Sequence, residues 1–210
     1  MTLLLNKKIM QENKLIESKD IIQNHVMYSM GAGMIPVPLA DMVAVSGVQI
    51  NMIRQLAKVY NVPFEETQTK ALISALSGSI ISKVGARTLI KFIPGIGSLL
   101  GGVAMGVVSG ASTYALGEAF KYHFQTGGSI LDFDTEKMKK FYDEQFEKGK
   151  KVAEDLKKET EIKKSTDASA SPSENNDIIV KLRELSDLKN AGIISETDFV
   201  EMKKKLIEKY

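Results

Sequence analysis

Residues 93–110 read IPGIGSLLGGVAMGVVSG and carry no charge. Within this run Gly97 and Gly101 stand four residues apart, and so do Gly102, Gly106 and Gly110. Such regularity suits a helix rather than a loop, because four-residue spacing lays bare backbone along one face, where a second helix can approach closely. Each interior glycine costs a helix about 0.8–1.0 kcal/mol relative to alanine. The run therefore predicts a helix-contact face at Gly97, Gly101, Gly102, Gly106 and Gly110 that is strongly supported from outside. That support comes either from a tightly packed soluble bundle or from a bilayer, where bare peptide groups cannot be left unpaired. The uncharged stretch extends over 92–117, 26 residues. As a helix it would reach roughly 39 Å, enough for a hydrocarbon core of about 30 Å, so a membrane-embedded segment is the expectation.

Working outward, proline and glycine divide the apolar half of the chain into four helical segments. The first is expected over 19–30 and stops at GAG (31–33). IPVP (35–38) cannot continue it, because proline fixes φ and restricts the residue before it. A second helix is expected over 39–60, a third over 65–92 and a fourth over 98–124, closed by Gly127 and Gly128. Helix, Ile-Pro turn, helix thus occurs twice, with Ile35-Pro36 and Ile93-Pro94 at the turns. Val45-Ser46-Gly47 and Val108-Ser109-Gly110 echo each other weakly. The fold class expected is all-α: a four-helix body of two Pro-turn hairpins.

After residue 130 the composition changes. Residues 1–130 hold 11 Lys/Arg and 7 Asp/Glu, whereas 131–210 hold 17 and 19. Asp134 suits the N-cap of a charged amphipathic helix over 135–161, with Met138, Phe141, Tyr142, Phe146, Val152 and Leu156 near one stripe and Gly149 weakening its middle. KKSTDASASPSENN (163–176) reads as a disordered linker. A small helical hairpin follows. Leu182, Leu185 and Leu188 line its first helix, Gly192 and Ile193 form the turn, and Ser195 with Asp198 opens the second as a capping-box variant. Phe199, Met202 and Leu206 face back. The expected organisation is an N-terminal tail (1–17), an apolar helical domain (18–130), the charged helix (131–162), the linker (163–176) and the hairpin (177–210). About 34 residues without disulfides rarely fold alone, so the hairpin is expected to pair or dock.

The residues point to no reaction. There is no cysteine, which removes thiol nucleophiles and Cys-ligated zinc. No serine lies in a GxSxG elbow, and no GxxxxGK[ST] phosphate loop occurs. His25 and His123 are expected at a surface or interface. No catalytic, cofactor or metal residues are assigned and no cofactor is expected. The basic excess on one face that a nucleic-acid surface requires is missing. MTLLLNKKIM (1–10) has too short an apolar run for a signal peptide, so secretion by the usual route is not expected. Lys83, Arg87 and Lys91 recur at i, i+4, i+8 as a basic stripe. It is a candidate lipid-facing surface, or else the solvated face of a bundle. Asp41, alone between Asp20 and Arg54, is a candidate polar site; complementing the positive helix end is the reading favoured for it.

IPVP, Asp41, Gln49, Met52-Ile53, Leu56-Ala57, Tyr60, IPGIG (93–97) and YALGEAF (114–120), in this order, resemble the uncharacterised domain (number 697) of YcjF-type proteins, over about 18–128. That resemblance implies a bacterial, mostly inner-membrane-associated protein, with a GTPase as a partner class. Residues 177–210 resemble the short C-terminal domain abbreviated SHOCT, which implies oligomerisation or partner contact through Leu182, Leu185, Leu188, Ile193, Phe199, Met202 and Leu206. The function expected is a non-enzymatic scaffold or adaptor, membrane-associated and self-associating, at the bacterial inner membrane or its cytoplasmic face. The alternatives are a soluble cytoplasmic accessory that binds and regulates a separate GTPase, and an ion or lipid carrier using Asp41.

Overall fold

The structure, a computed structural model, describes residues 2–32, 40–88, 98–167 and 174–208. These form α1 (Thr2–Ala32), α2 (Ala40–Tyr60), α3 (Glu66–Thr88), α4 (Ser98–Gln125), α5 (Thr135–Asp167), α6 (Glu174–Asn190) and α7 (Glu196–Glu208), with no strand among them. The expected Ile-Pro turns, with Pro36, Pro38 and Pro94, lie outside the described residues. Residues 1–17, expected as a tail, are helical from Thr2 and continuous with the rest of α1. At both ends of the stretch expected as a linker the described residues are helical, α5 to Asp167 and α6 from Glu174.

Helix ends are set by local chemistry. α2, α4 and α6 all close with the same motif, in which a left-handed residue turns the chain back. Asn61 (φ 57°), Gly127 (φ 88°) and Gly192 (φ 67°) occupy that position. In each case the next N–H reaches a carbonyl five residues back: Val62 to Ala57 at 2.8 Å, Gly128 to His123 at 3.0 Å, and Ile193 to Leu188 at 2.9 Å. At the N-termini, Asp134 accepts from the Lys137 N–H at 3.1 Å, opening α5. The capping box of α7 is formed, with Ser195 Oγ accepting from the Asp198 N–H at 3.1 Å and Asp198 accepting from the Ser195 N–H at 3.1 Å.

The main core joins five helices. Ile22 and Val26 of α1, Met52, Ile53 and Leu56 of α2, Leu72 and Leu76 of α3, and Leu116 and Phe120 of α4 meet Tyr142 and Phe146 of α5. The charged helix therefore packs into the body: Met138, Tyr142, Phe146, Gly149 and Ala153 form a buried stripe against α4, while its lysines and glutamates mostly face out. Phe133, on the α4–α5 connection, stacks on Phe120 with centroids 4.4 Å apart.

Two glycines let α4 close on its neighbours, one against α5 and the other against α1 and α2. A Cβ on Gly149 would meet the Ala111 carbonyl oxygen at 2.8 Å and the Ala111 Cα at 3.0 Å, so α5 touches α4 backbone to backbone. On α4, Gly117 faces Ile22 and Met52, whose nearest atoms would lie 2.7 and 3.1 Å from an added Cβ. The penalty for interior glycine is thus offset by contacts that no larger residue permits.

A polar seam runs through this core. Ser29 Oγ and Thr113 Oγ1 are 2.6 Å apart, and Gln49 Nε2 donates to Thr113 Oγ1 at 3.2 Å. Ser112 Oγ lies 3.0 Å from the Tyr142 hydroxyl. Burial pushes the Tyr142 phenol above its ordinary value, and the Ser112 hydrogen bond partly offsets that. The seam links α1, α2, α4 and α5 through satisfied groups, which is the condition for polar side chains to sit in a core at little cost.

Candidate functional site

A second, smaller core joins the C-terminal hairpin to the body. Leu185 and Leu188 of α6, Ile193 and Ile194 of the turn, and Met202 and Leu206 of α7 are buried against Ala32 of α1 and Ala44 and Val48 of α2. Leu182 and Phe199 pack against it, partly buried. The seven residues expected at a hairpin interface thus all lie in or against this core. They bury one another and the body of their own chain.

Small residues form the seat. A Cβ on Gly47 of α2 would stand 2.8 Å from the Ile193 carbonyl oxygen, so the hairpin turn rests directly on the α2 backbone. On α1, Gly31 faces the Glu184 side chain, with the nearest carbon 3.5 Å from an added Cβ. Lys189 and Glu196 close the hairpin across its turn at 2.6 Å. Beyond the buried side, Ile179, Val200 and Ile207 are left exposed on α6 and α7.

Beside the seat lies a polar cleft of about 430 Å³ between α1, α2 and the hairpin turn, with Ile193 in its wall. His25, expected at a surface or interface, is buried at 3 % exposure between α1 and α2, where three neighbours satisfy its ring. Nδ1 is 2.7 Å from the Ile21 carbonyl, and Nε2 is 3.0 Å from Asn51 Oδ1 and 3.4 Å from Gln55 Nε2. Gln55 Nε2 also donates to Asn51 Oδ1 at 2.6 Å, which ties the two amides together beside the ring. Gln49 and Asn51, two residues apart, go to different places: Gln49 to the polar seam, Asn51 to this cleft. Glu17 and Asp20 line the same opening. What the cleft offers is a set of hydrogen-bond acceptors and amides. Among the described residues no group of three histidines or carboxylates is placed to hold a metal ion.

The remaining expected sites fall as follows. Gly110 faces Met30 of α1 and Ala153 of α5, whose nearest atoms would lie 2.6 and 3.2 Å from an added Cβ. Gly106 is buried on α4. Gly101 and Gly102 lie on α4 with surroundings outside the described residues, and Gly97 lies outside them altogether. Asp41 is in the first turn of α2, and Lys83 and Arg87 are on α3, their side chains outside the described residues; Lys91 is outside them entirely. No helix, among the described residues, is long and apolar enough to cross a membrane, and the run 92–117 is only partly among those residues.

Sequence reasoning missed Gly47, Gly117 and the His25–Asn51–Gln55 triad as structural elements. Gly47 had a signal in the Val-Ser-Gly echo with Gly110, since both positions take a close neighbour. His25 had none, because a lone histidine in a helix carries no spacing information.

A family model described as Domain of unknown function (DUF697) matches residues 4–151, a span that takes in the whole of α1 beyond Leu3 and half of α5. The chain is also similar to the protein named Magnetosome membrane protein 22 of Magnetospirillum gryphiswaldense, with 35 % identity over 157 residues, covering 73 % of this chain and 80 % of that one. No solved structure matches the chain.

Proposed function

The chain belongs to the family of domain of unknown function 697, and from that premise we propose that it is a non-enzymatic, membrane-associated scaffold or adaptor. Its C-terminal hairpin is the docking module. In the free chain the hairpin covers the seat formed by Ala32, Ala44, Gly47 and Val48. In an assembly the same seat takes the hairpin of a second copy, or the hairpin is given up to a partner. The observation that carries this reading is the second core itself, built jointly by a tethered hairpin and the body. An element that buries its own apolar stripe on a tethered neighbour can exchange with an identical copy at little cost, because every contact is reproduced in the exchanged form. Membrane association is supported by the name of the magnetosome relative, a magnetosome membrane protein. The glycine face of α4 holds the body together rather than acting on a substrate. A GTPase is the partner class implied by the resemblance, and it would bring nucleotide chemistry that this chain lacks a phosphate loop to perform.

The test is chemical cross-linking in native membranes with the full chain and with a chain lacking residues 177–210, followed by identification of captured proteins. Capture of a second copy or a defined partner that disappears with the hairpin is the expected result. Recovery of the full chain wholly in the aqueous fraction contradicts the membrane half. Capture that is indifferent to the hairpin contradicts the docking half.

A further inference from the structure

We propose that the cleft between α1, α2 and the hairpin turn binds a small aliphatic amine, and that filling it holds the hairpin on its seat. This rests on the docking reading above and adds to it a ligand class and a control over when the hairpin is given up.

The cleft has the shape and the stiffness of a site. It follows α1 from Asn13 to Tyr28, about 22 Å along the axis, and its volume is about 430 Å³. That volume is of the size small molecules occupy, and spread over such a length it suits a slender chain better than a stack of rings. The base is set in advance. His25 is held by the Ile21 carbonyl at 2.7 Å, and Asn51 and Gln55 are tied to the ring and to each other. A wall fixed before binding loses little freedom when a ligand arrives.

Charge selects the occupant. Asn13, Glu17, Asp20 and Asn24 follow at intervals of four, three and four residues, so they form one stripe of α1 along the cleft. Neither carboxylate has an ion-pair or hydrogen-bond partner among the described residues, and none of these lining the cleft is a lysine or arginine. Lys14, one turn before Glu17, lies over the Tyr60 ring instead, 5.6 Å from its centroid. An anion is repelled here and a cation drawn in. A metal ion is a poor fit, because no group of three histidines or carboxylates converges among the described residues. An ammonium group needs only acceptors within hydrogen-bond reach, which the carboxylates and side-chain amides supply. Ile16, Ile21 and Ile193 add apolar surface for the methylenes between such groups.

The hairpin supplies the remaining wall through Ala191 and Ile193. Ile193 is also the residue whose carbonyl rests on Gly47, so this wall exists only while the hairpin is seated. Ligand and seat are therefore linked. Whatever affinity the wall adds for the ligand, the ligand returns as stability of the seated hairpin.

The probe is spermidine, a linear triamine, titrated into the full chain by calorimetry, with hydrogen–deuterium exchange across 182–206 read in its presence and absence. One saturable site per chain is expected. E17Q combined with D20N, two exposed positions changed to amides of the same shape, is expected to weaken it about tenfold. At saturation the hairpin amides of the native chain gain protection by about fivefold or more, and the gain shrinks in the E17Q/D20N chain. Octane-1,8-diol, a chain of similar length without charge, produces neither effect. Absence of binding overturns the site. So does binding that E17Q/D20N leaves unchanged or that magnesium chloride reproduces, which is surface attraction only. A hairpin that is protected but indifferent to bound spermidine overturns the control and leaves the seat intact, whereas hairpin amides unprotected in the free native chain overturn the docking reading itself.

Discussion

Replacing Gly47 by alanine separates the body from the hairpin energetically. In α2 alone the change is favourable, since alanine exceeds glycine in a helix interior by about 0.8–1.0 kcal/mol. With the hairpin seated, the new methyl lies 2.8 Å from the Ile193 carbonyl oxygen. Carbon–oxygen contacts settle near 3.3–3.6 Å, so the turn must retreat by about half an ångström or more. The obstacle is backbone on both sides, and the Ile193 N–H is itself held to the Leu188 carbonyl at 2.9 Å, so the turn has little room to relax locally. Overpacking of this kind costs about 1–3 kcal/mol. Docking is then weakened by that amount, and amides of α6 and α7 whose exchange proceeds through undocking lose protection by about 5- to 150-fold. Amides of α2 keep or slightly increase theirs. Hydrogen–deuterium exchange with peptide-level mass spectrometry reads both at once. Unchanged protection across 182–206 beside a stabilised α2 would refute the seat.

Four other outcomes are expected. Gly78→Ala, where an added Cβ meets nothing within 4 Å, raises stability by about 0.8–1.0 kcal/mol in urea unfolding, and a loss would show an unseen contact there. Gly149→Ala, whose Cβ meets Ala111 backbone at 2.8 and 3.0 Å, lowers stability by about 1–3 kcal/mol in the same measurement, despite its better helix propensity. Thr113→Val leaves Ser29 and Gln49 without their shared partner and costs about 1–3 kcal/mol, whereas a change below half a unit would show the seam to be dispensable. Asp132, hydrogen-bonded by Ser129 and then His123, is held down to about 2, so it favours the folded state above the ordinary carboxylate value of 3.8. That contribution is lost as pH falls through about 2, and Asp132→Asn should flatten the acid limb of the stability profile there.

The order of helices was legible because glycine and proline punctuate the chain and the apolar stripes have helical spacing. What those stripes face was not. Met138, Tyr142 and Phe146 announce a buried face, yet nothing in their spacing says that it meets α4 rather than a partner. Gly149 reads in isolation as a weak point, and only the backbone of Ala111 across from it explains why it is tolerated. The early start of α1 escaped because Asn6, Lys7, Lys8, Gln11, Glu12 and Asn13 break up its apolar residues, and the segment reads as a polar tail. The hairpin's leucines were plain, but their seat is made of Ala32, Ala44, Gly47 and Val48, small residues without any pattern to mark a docking surface.

The seating of the hairpin on its own body is tested most directly by a distance. The chain has no cysteine, so Lys58→Cys on α2 and Lys203→Cys on α7, both exposed, give two unique positions for spin labels. Pulsed electron–electron resonance on the doubly labelled chain, diluted with unlabelled chain, is predicted to give one narrow distance distribution. A broad distribution, of the width expected for a hairpin free on its tether, would contradict the account.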